Sequence, residues 1–189
     1  MTGKTTTFGD YVADERVGAL ISTIEIRILP KDFNTEWQRC GQTADYLASY
    51  LAHHFEDFEM AMNVLSTVLN ELIENSVKFS ASQHEWVSIS ASFSGKAVIL
   101  EATNSATAEQ LELFTAFVER LLSEDVEDLF LARIEDSDFG VESGSGLGLI
   151  TIKKDYLSGI GVRFQQRPSS DLYDVSVQLH LDADLVAQG

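Results

Sequence analysis

Two stretches of this chain hold the residue types that can do chemistry. They are Asn70-Glu71-Leu72-Ile73-Glu74-Asn75-Ser76-Val77-Lys78-Phe79-Ser80 and, far downstream, Gly144-Ser145-Gly146-Leu147-Gly148-Leu149. On a helix, Glu71, Asn75 and Lys78 fall at i, i+4 and i+7 and project to one side. An asparagine oxygen is a hard ligand suited to Mg²⁺, which takes its other ligands from phosphates and water. A glutamate one turn earlier can take a proton from the water or hydroxyl that attacks a γ-phosphate. Lys78 can pair with phosphate oxygens. Taken alone, this stretch is equally an amphipathic helix with a polar edge.

The second stretch shifts that balance. Gly144, Gly146 and Gly148 let the backbone come close to a ligand and reach positive φ. Leu147 and Leu149 then open an apolar helix, whose first-turn N–H groups and dipole favour phosphate. No strand leads directly into the glycines and no βαβ unit surrounds them, which excludes a dinucleotide-binding fingerprint. Together the two stretches suit a magnesium-bound nucleoside triphosphate.

The elements that must position these residues are read from periodicity. Alternation over residues 20–29, with Leu20, Ile24, Ile26 and Ile28 on one face, predicts a strand stopped by Pro30. Residues 35–55 read as a helix capped by Asn34 or Thr35. The strongest pattern runs from Met60 to Val77 at i, i+3, i+4, i+7 and predicts the helix that carries Glu71 and Asn75. Two strands come next, over 87–93 and 97–103, around Ser94-Gly95-Lys96. Residues 107–138 read as helical and acidic, with apolar positions at Leu111, Phe114, Phe117, Val118, Leu121 and Leu122 and a further short helix over 126–134. Residues 138–145 read as a loop and 147–157 as a helix ended by Ser158-Gly159. Strands over 161–166 and 172–181 complete the chain. Helices and strands mix without a βαβ rhythm, which predicts an α+β fold with an antiparallel or mixed sheet and helices on one face.

The 189 residues, 44% hydrophobic and 23% charged, fit one globular domain over 1–189, with 1–15 as an N-terminal arm. A net charge of −17 argues against nucleic acid and anionic membrane as partners. The acidic runs around 124–128, 135–138 and 182–184 read as a solvated face, or as a surface for a basic partner. A single cysteine, Cys40, excludes an internal disulfide and fits a reducing cytoplasm. The N-terminus lacks an apolar run, so no signal peptide is expected, and no stretch is long and apolar enough to span a membrane.

Several motifs are decoys. Asp138-Phe139-Gly140 has no His-Arg-Asp loop or strand lysine to accompany it. Gly3-Lys4-Thr5 lacks the first glycine and strand of a P-loop. His53 and His54 are adjacent on a helix and cannot chelate together.

The Glu71-x-x-x-Asn75 helix and Gly144-x-Gly146-Leu147-Gly148-Leu149 resemble the N box and the second glycine box of the GHKL ATPases, the superfamily of gyrase-type enzymes, Hsp90, histidine kinases and anti-sigma-factor serine kinases. The resemblance covers about residues 60–181. It implies a Bergerat-type two-layer α+β sandwich, with a mostly antiparallel mixed sheet and helices on one face. It also implies ATP and Mg²⁺ as cofactors. Carried over, Asn75 is the metal ligand and Glu71 the general base. Gly144, Ser145, Gly146, Leu147, Gly148 and Leu149 form the phosphate loop, and Lys78 matches a basic position of the kinase branches. The superfamily's Asp-x-Gly-x-Gly box is absent. Thr103-Asn104-Ser105-Ala106 stands there, leaving the Asn104 amide oxygen or the Thr103 hydroxyl as a neutral acceptor for the adenine amino group. With Phe8-Gly9-Asp10-Tyr11, the chain further resembles bacterial single-domain regulators near the anti-sigma kinases (SiaB-like), some of whose relatives phosphorylate a STAS-domain partner.

These residues suit two functions. One is an ATP-dependent Ser/Thr protein kinase in a partner-switching pathway. The other is a GHKL-fold binding module that sequesters a partner without turnover. The resembling kinases pair as homodimers, and the strand over 20–29 would offer an edge.

Overall fold

The computed structural model describes residues 4–13, 20–138, 147–156 and 159–188. The elements run β1 (Thr5–Gly9), β2 (Ser22–Ile28), α1 (Pro30–Thr35), α2 (Gln38–Ala52), α3 (Phe58–Lys78), β3 (Val87–Phe93), β4 (Ala97–Ala106), α4 (Ala108–Ser123), α5 (Val126–Asp138), α6 (Leu147–Tyr156), β5 (Gly159–Gln166), β6 (Tyr173–Asp182) and α7 (Ala183–Val186). The six strands form one antiparallel sheet in the order β1-β5-β6-β4-β3-β2. The α+β class with helices on one face is as the periodicity predicts.

Alternation sets the two faces. Ala91, Leu100, Leu179 and Ile160 share one row across four strands, and each is buried toward the helices. Leu65, Leu69, Leu72 and Ile73 of α3 and Leu47 and Leu51 of α2 complete that core. Burial of each such aliphatic side chain contributes about 1.5–3 kcal/mol. The open face carries polar rows instead, such as Ser90, Glu101 and Gln178 in register.

α3 begins where Asp57 accepts a hydrogen bond from the Met60 N–H at 3.0 Å. The helix expected over 35–55 is α2, shorter at both ends, and a separate short helix, α1, precedes it. Pro30 starts α1, a position that suits its fixed φ and missing N–H. The Thr35 hydroxyl donates back to the carbonyls of Lys31 and Asp32 and does not cap α2. Trp37 is the residue just before α2, and makes no side-chain cap. A full turn of α1 therefore sits where the sequence pattern predicts a single cap.

Residues expected to be an N-terminal arm include β1, an edge strand paired with β5. The chain then turns onto the open face. The Val12 N–H donates to Gln178 Oε1 at 2.9 Å, Gln178 Nε2 donates to the Val12 carbonyl at 3.1 Å, and the Tyr11 hydroxyl donates to Glu101 Oε2 at 3.3 Å. The Tyr11 backbone lies so close to Gly161 that a Cβ there would be 2.3 Å from its N and Cα. Gly161→Ala is expected to lose about 1–3 kcal/mol of stability, because backbone cannot yield as a side-chain end can. Chemical denaturation of the two proteins checks this, and equal stability would disprove the close approach.

Candidate functional site

α3 buries Leu72, Ile73, Ser76 and Val77 and sets Glu71 and Asn75 at the margin of that stripe, each partly buried. The second segment arrives beside them. α6 begins at Leu147, and its second residue, Gly148, lies directly against α3. A Cβ on Gly148 would sit 2.0 Å from Glu71 Oε2 and 3.3 Å from Asn75 Nδ2. Hydrogen in place of a side chain is what lets the first turn of α6 approach the two polar residues this closely. Two stretches more than seventy residues apart thus meet at one place. Gly144, Ser145 and Gly146 lie outside the described residues.

The electrostatics of the meeting point are unusual for a core. Asn75 Nδ2 is buried and has no hydrogen-bond partner among the described residues. Leaving such a group unpaired costs about 1–3 kcal/mol. The Glu71 carboxyl is held above its ordinary range, first by burial and then by the nearby Glu74 charge. Glu74 is itself fixed one turn away by Asn70, whose Nδ2 donates to it at 2.8 Å.

Next to Asn75 a cavity of about 370 Å³ opens between α3 and the far end of the sheet. Ala102, Asn104, Val175 and Val177 of β4 and β6 form its floor. Phe79, Phe114 and Phe117 supply aromatic walls, and Leu149 of α6 closes it from the side. α4 is placed over it by a capping box in which the Thr107 side chain and Gln110 satisfy each other's backbone N–H groups. Apolar walls with a few carboxamides suit a flat heteroaromatic group.

The remaining sequence-predicted residues divide. Asn104 is buried and reaches the cavity, with its Nδ2 donating to the Ser105 carbonyl at 3.1 Å. Thr103, one residue earlier, turns to the open face, where its hydroxyl is 2.8 Å from that of Ser176. The period of two along β4 separates these two acceptors, so only Asn104 stands beside Asn75. Lys78 is exposed, with its Nζ 5.3 Å from the centre of the Phe79 ring, and it is not among the residues around the cavity. Leu149 is buried, and Leu147 starts the helix.

Sequence reasoning missed Arg133 of α5 and Gln110 of α4, both of which border the cavity. Thr107-x-x-Gln110 was a legible signal for a helix start. Nothing local marks Arg133. No group of three or more His, Cys, Asp or Glu that could hold a metal exists among the described residues. His53 and His54 rest instead against the rings of Phe58 and Phe93. Cys40 is buried, with its thiol pushed up to about 11 mainly by burial, which leaves it unreactive. No described helix is long and apolar enough to cross a membrane.

No protein-family model matches the chain, and no curated protein matches it. Its fold matches a chain in the crystal structure of the SiaB-SiaC complex from Pseudomonas aeruginosa, with a TM-score of 0.61 and 13% identity. The match covers 86% of this chain and 91% of that one. At that identity the likeness is one of architecture, to a chain crystallised in a two-protein complex.

Because the folded state holds the Glu71 proton more tightly than the unfolded chain, ionising it costs stability as pH rises through and above the ordinary glutamate range. Glu71→Gln removes that loss. Its stability relative to wild type is expected to be least favourable in acid and to improve toward neutral pH. Denaturation midpoints across a pH series check this, and a difference that is flat with pH would refute it.

Proposed function

We propose that this chain is a signalling regulator of the partner-switching kind with a GHKL-type site for Mg-ATP, and that it acts as a Ser/Thr protein kinase on a STAS-type partner. The observation that carries the reading is the convergence of Glu71 and Asn75 on Gly148, with the Asn75 amide nitrogen buried and unpartnered among the described residues. A core retained only for stability gains nothing from an orphaned amide.

The residues fit the implied group. Rotation of the Asn75 amide exchanges Nδ2 and Oδ1, which presents a hard oxygen beside the Glu71 carboxylate. Mg-ATP when bound would supply the transferable phosphoryl group and the charge that balances its oxygens. The chain's own residues do the rest. Asn75 would hold the metal through its amide oxygen. Glu71, whose raised proton affinity suits a base, accepts the proton of the acceptor hydroxyl at its carboxylate. Asn104 offers its amide oxygen to an exocyclic amino group at the cavity floor. The backbone at the start of α6 receives the phosphates.

Mg-ATP at a hundredfold excess over its Kd is expected to add about 2.7 kcal/mol. For a domain of this size that is roughly 5–10 °C in Tm. Asn75→Ala is expected to erase the shift. A wild-type protein whose melting is indifferent to Mg-ATP refutes the nucleotide reading.

A second reading is favoured by the hydrocarbon walls of the cavity and by Asn104 in place of an acid. In it the domain is a partner-binding module without turnover. Partner capture that survives Glu71→Gln, with no phosphate transferred by the wild type, would support this reading over the kinase.

Self-association is proposed at the free edge of β2. A two-fold axis through Ile26 would set Glu25 opposite Arg27 of a second copy, on the exposed face of that strand. Arg27→Glu is then expected to shift the protein toward monomer in sedimentation. A wild type that sediments as a monomer refutes the edge pairing.

A further inference from the structure

The chain has 30 acidic residues and 13 Lys and Arg, so a triphosphate site needs a cation within reach. Lys78, the residue the sequence suggests for this role, is exposed and does not border the cavity. Arg133 does border it, together with Asn75 and Asn104, and is partly buried there. It is the cationic residue among those described around the cavity. Its guanidinium is a planar fork that matches phosphate oxygens in a way a lysine ammonium does not.

The position of Arg133 is tied to the rest of the site. Phe130, one turn earlier on α5, has the Lys154 ammonium of α6 5.2 Å from its ring centre, and Lys154 also lies 3.9 Å from Glu127. The neighbouring Lys153 donates to the Leu121 carbonyl at the end of α4. α6, which carries Gly148 into contact with Glu71, therefore also holds α5 and α4. A polar clamp on one helix fixes the cation-bearing helix relative to Gly148.

We propose that Arg133 is the phosphate-binding cation of this cavity, contributed by α5, and that it recognises the polyphosphate of the nucleotide and not its base. This rests on the nucleotide reading for the identity of the natural ligand, though the anion chemistry can be tested apart from it.

Calorimetry with three probes decides the matter: Mg-ATP, adenosine and inorganic tripolyphosphate with Mg²⁺. Wild type is compared with Arg133→Ala and Arg133→Lys. The expected result is a loss of about ten- to a hundredfold in affinity for Mg-ATP and tripolyphosphate in Arg133→Ala, with adenosine unchanged and partial recovery in Arg133→Lys. Equal affinity for Mg-ATP and tripolyphosphate in wild type and Arg133→Ala overturns the assignment. So does a parallel loss of adenosine, which would mean that Arg133 only supports the cavity. Tripolyphosphate binding that depends on Arg133 without any binding of Mg-ATP or adenosine would leave the anion site standing and sink the nucleotide reading. A wild type that binds none of the three removes both.

Discussion

The contact between Gly148 and the Glu71–Asn75 edge of α3 is the constraint on which the site depends. Helix axes normally stand 8–10 Å apart because side chains keep them there. At Gly148 there is no side chain, and the Glu71 carboxylate takes the space that a Cβ would need. The approach is what makes one site of two remote segments. It also has a cost, since Asn75 keeps an unpaired amide nitrogen among the described residues and Glu71 is partly desolvated beside Glu74. Both penalties fall on residues that chemistry would use, as expected where function competes with stability.

The sheet supports this contact from below and is itself held in an unusual way. Its two edges are β1 and β2, which are consecutive in the chain yet lie five strand-spacings apart. The segment after β1 leaves across the open face, where Gln178 binds the Val12 backbone through both ends of its amide. Gln178 also donates to Glu101 at 2.7 Å, and Arg163 lies 4.9 Å from the Tyr11 ring. The open face is therefore polar because it carries chain, and the helical face is apolar because it carries the core. Asn104 is the exception that breaks the apolar row, buried at 8% exposure among Val175 and Phe164. A carboxamide in that row has a reason if something polar enters the cavity.

The cavity joins features that pull toward different functions. Its floor and aromatic walls would hold a flat, mostly apolar group, while Asn75, Asn104 and Arg133 are spaced around it as polar anchors. The fold around it is shared with a chain of the SiaB-SiaC complex. The helices that cover the cavity, α4 and α5, are pinned to α6 by Lys153 and Lys154.

Local pattern suffices for most of the elements. The stripe from Met60 to Val77 is α3, the alternation of Val87 to Phe93 is β3, and the positions of Glu71 and Asn75 on one helix edge come from a period of 3.6 alone. The α+β class comes from the same source, because periods and their order are written along the chain. What sequence could not decide is which remote groups meet. It groups Thr103 with Asn104, and the strand's alternation sends them to opposite faces of the sheet. It groups Lys78 with Asn75, and the helix end leaves the lysine in solvent. It passes over Arg133, whose only distinction is the place to which α5 carries it. Periodicity is a property of neighbours, whereas a site is a property of distances between segments, and those are set only when the core closes.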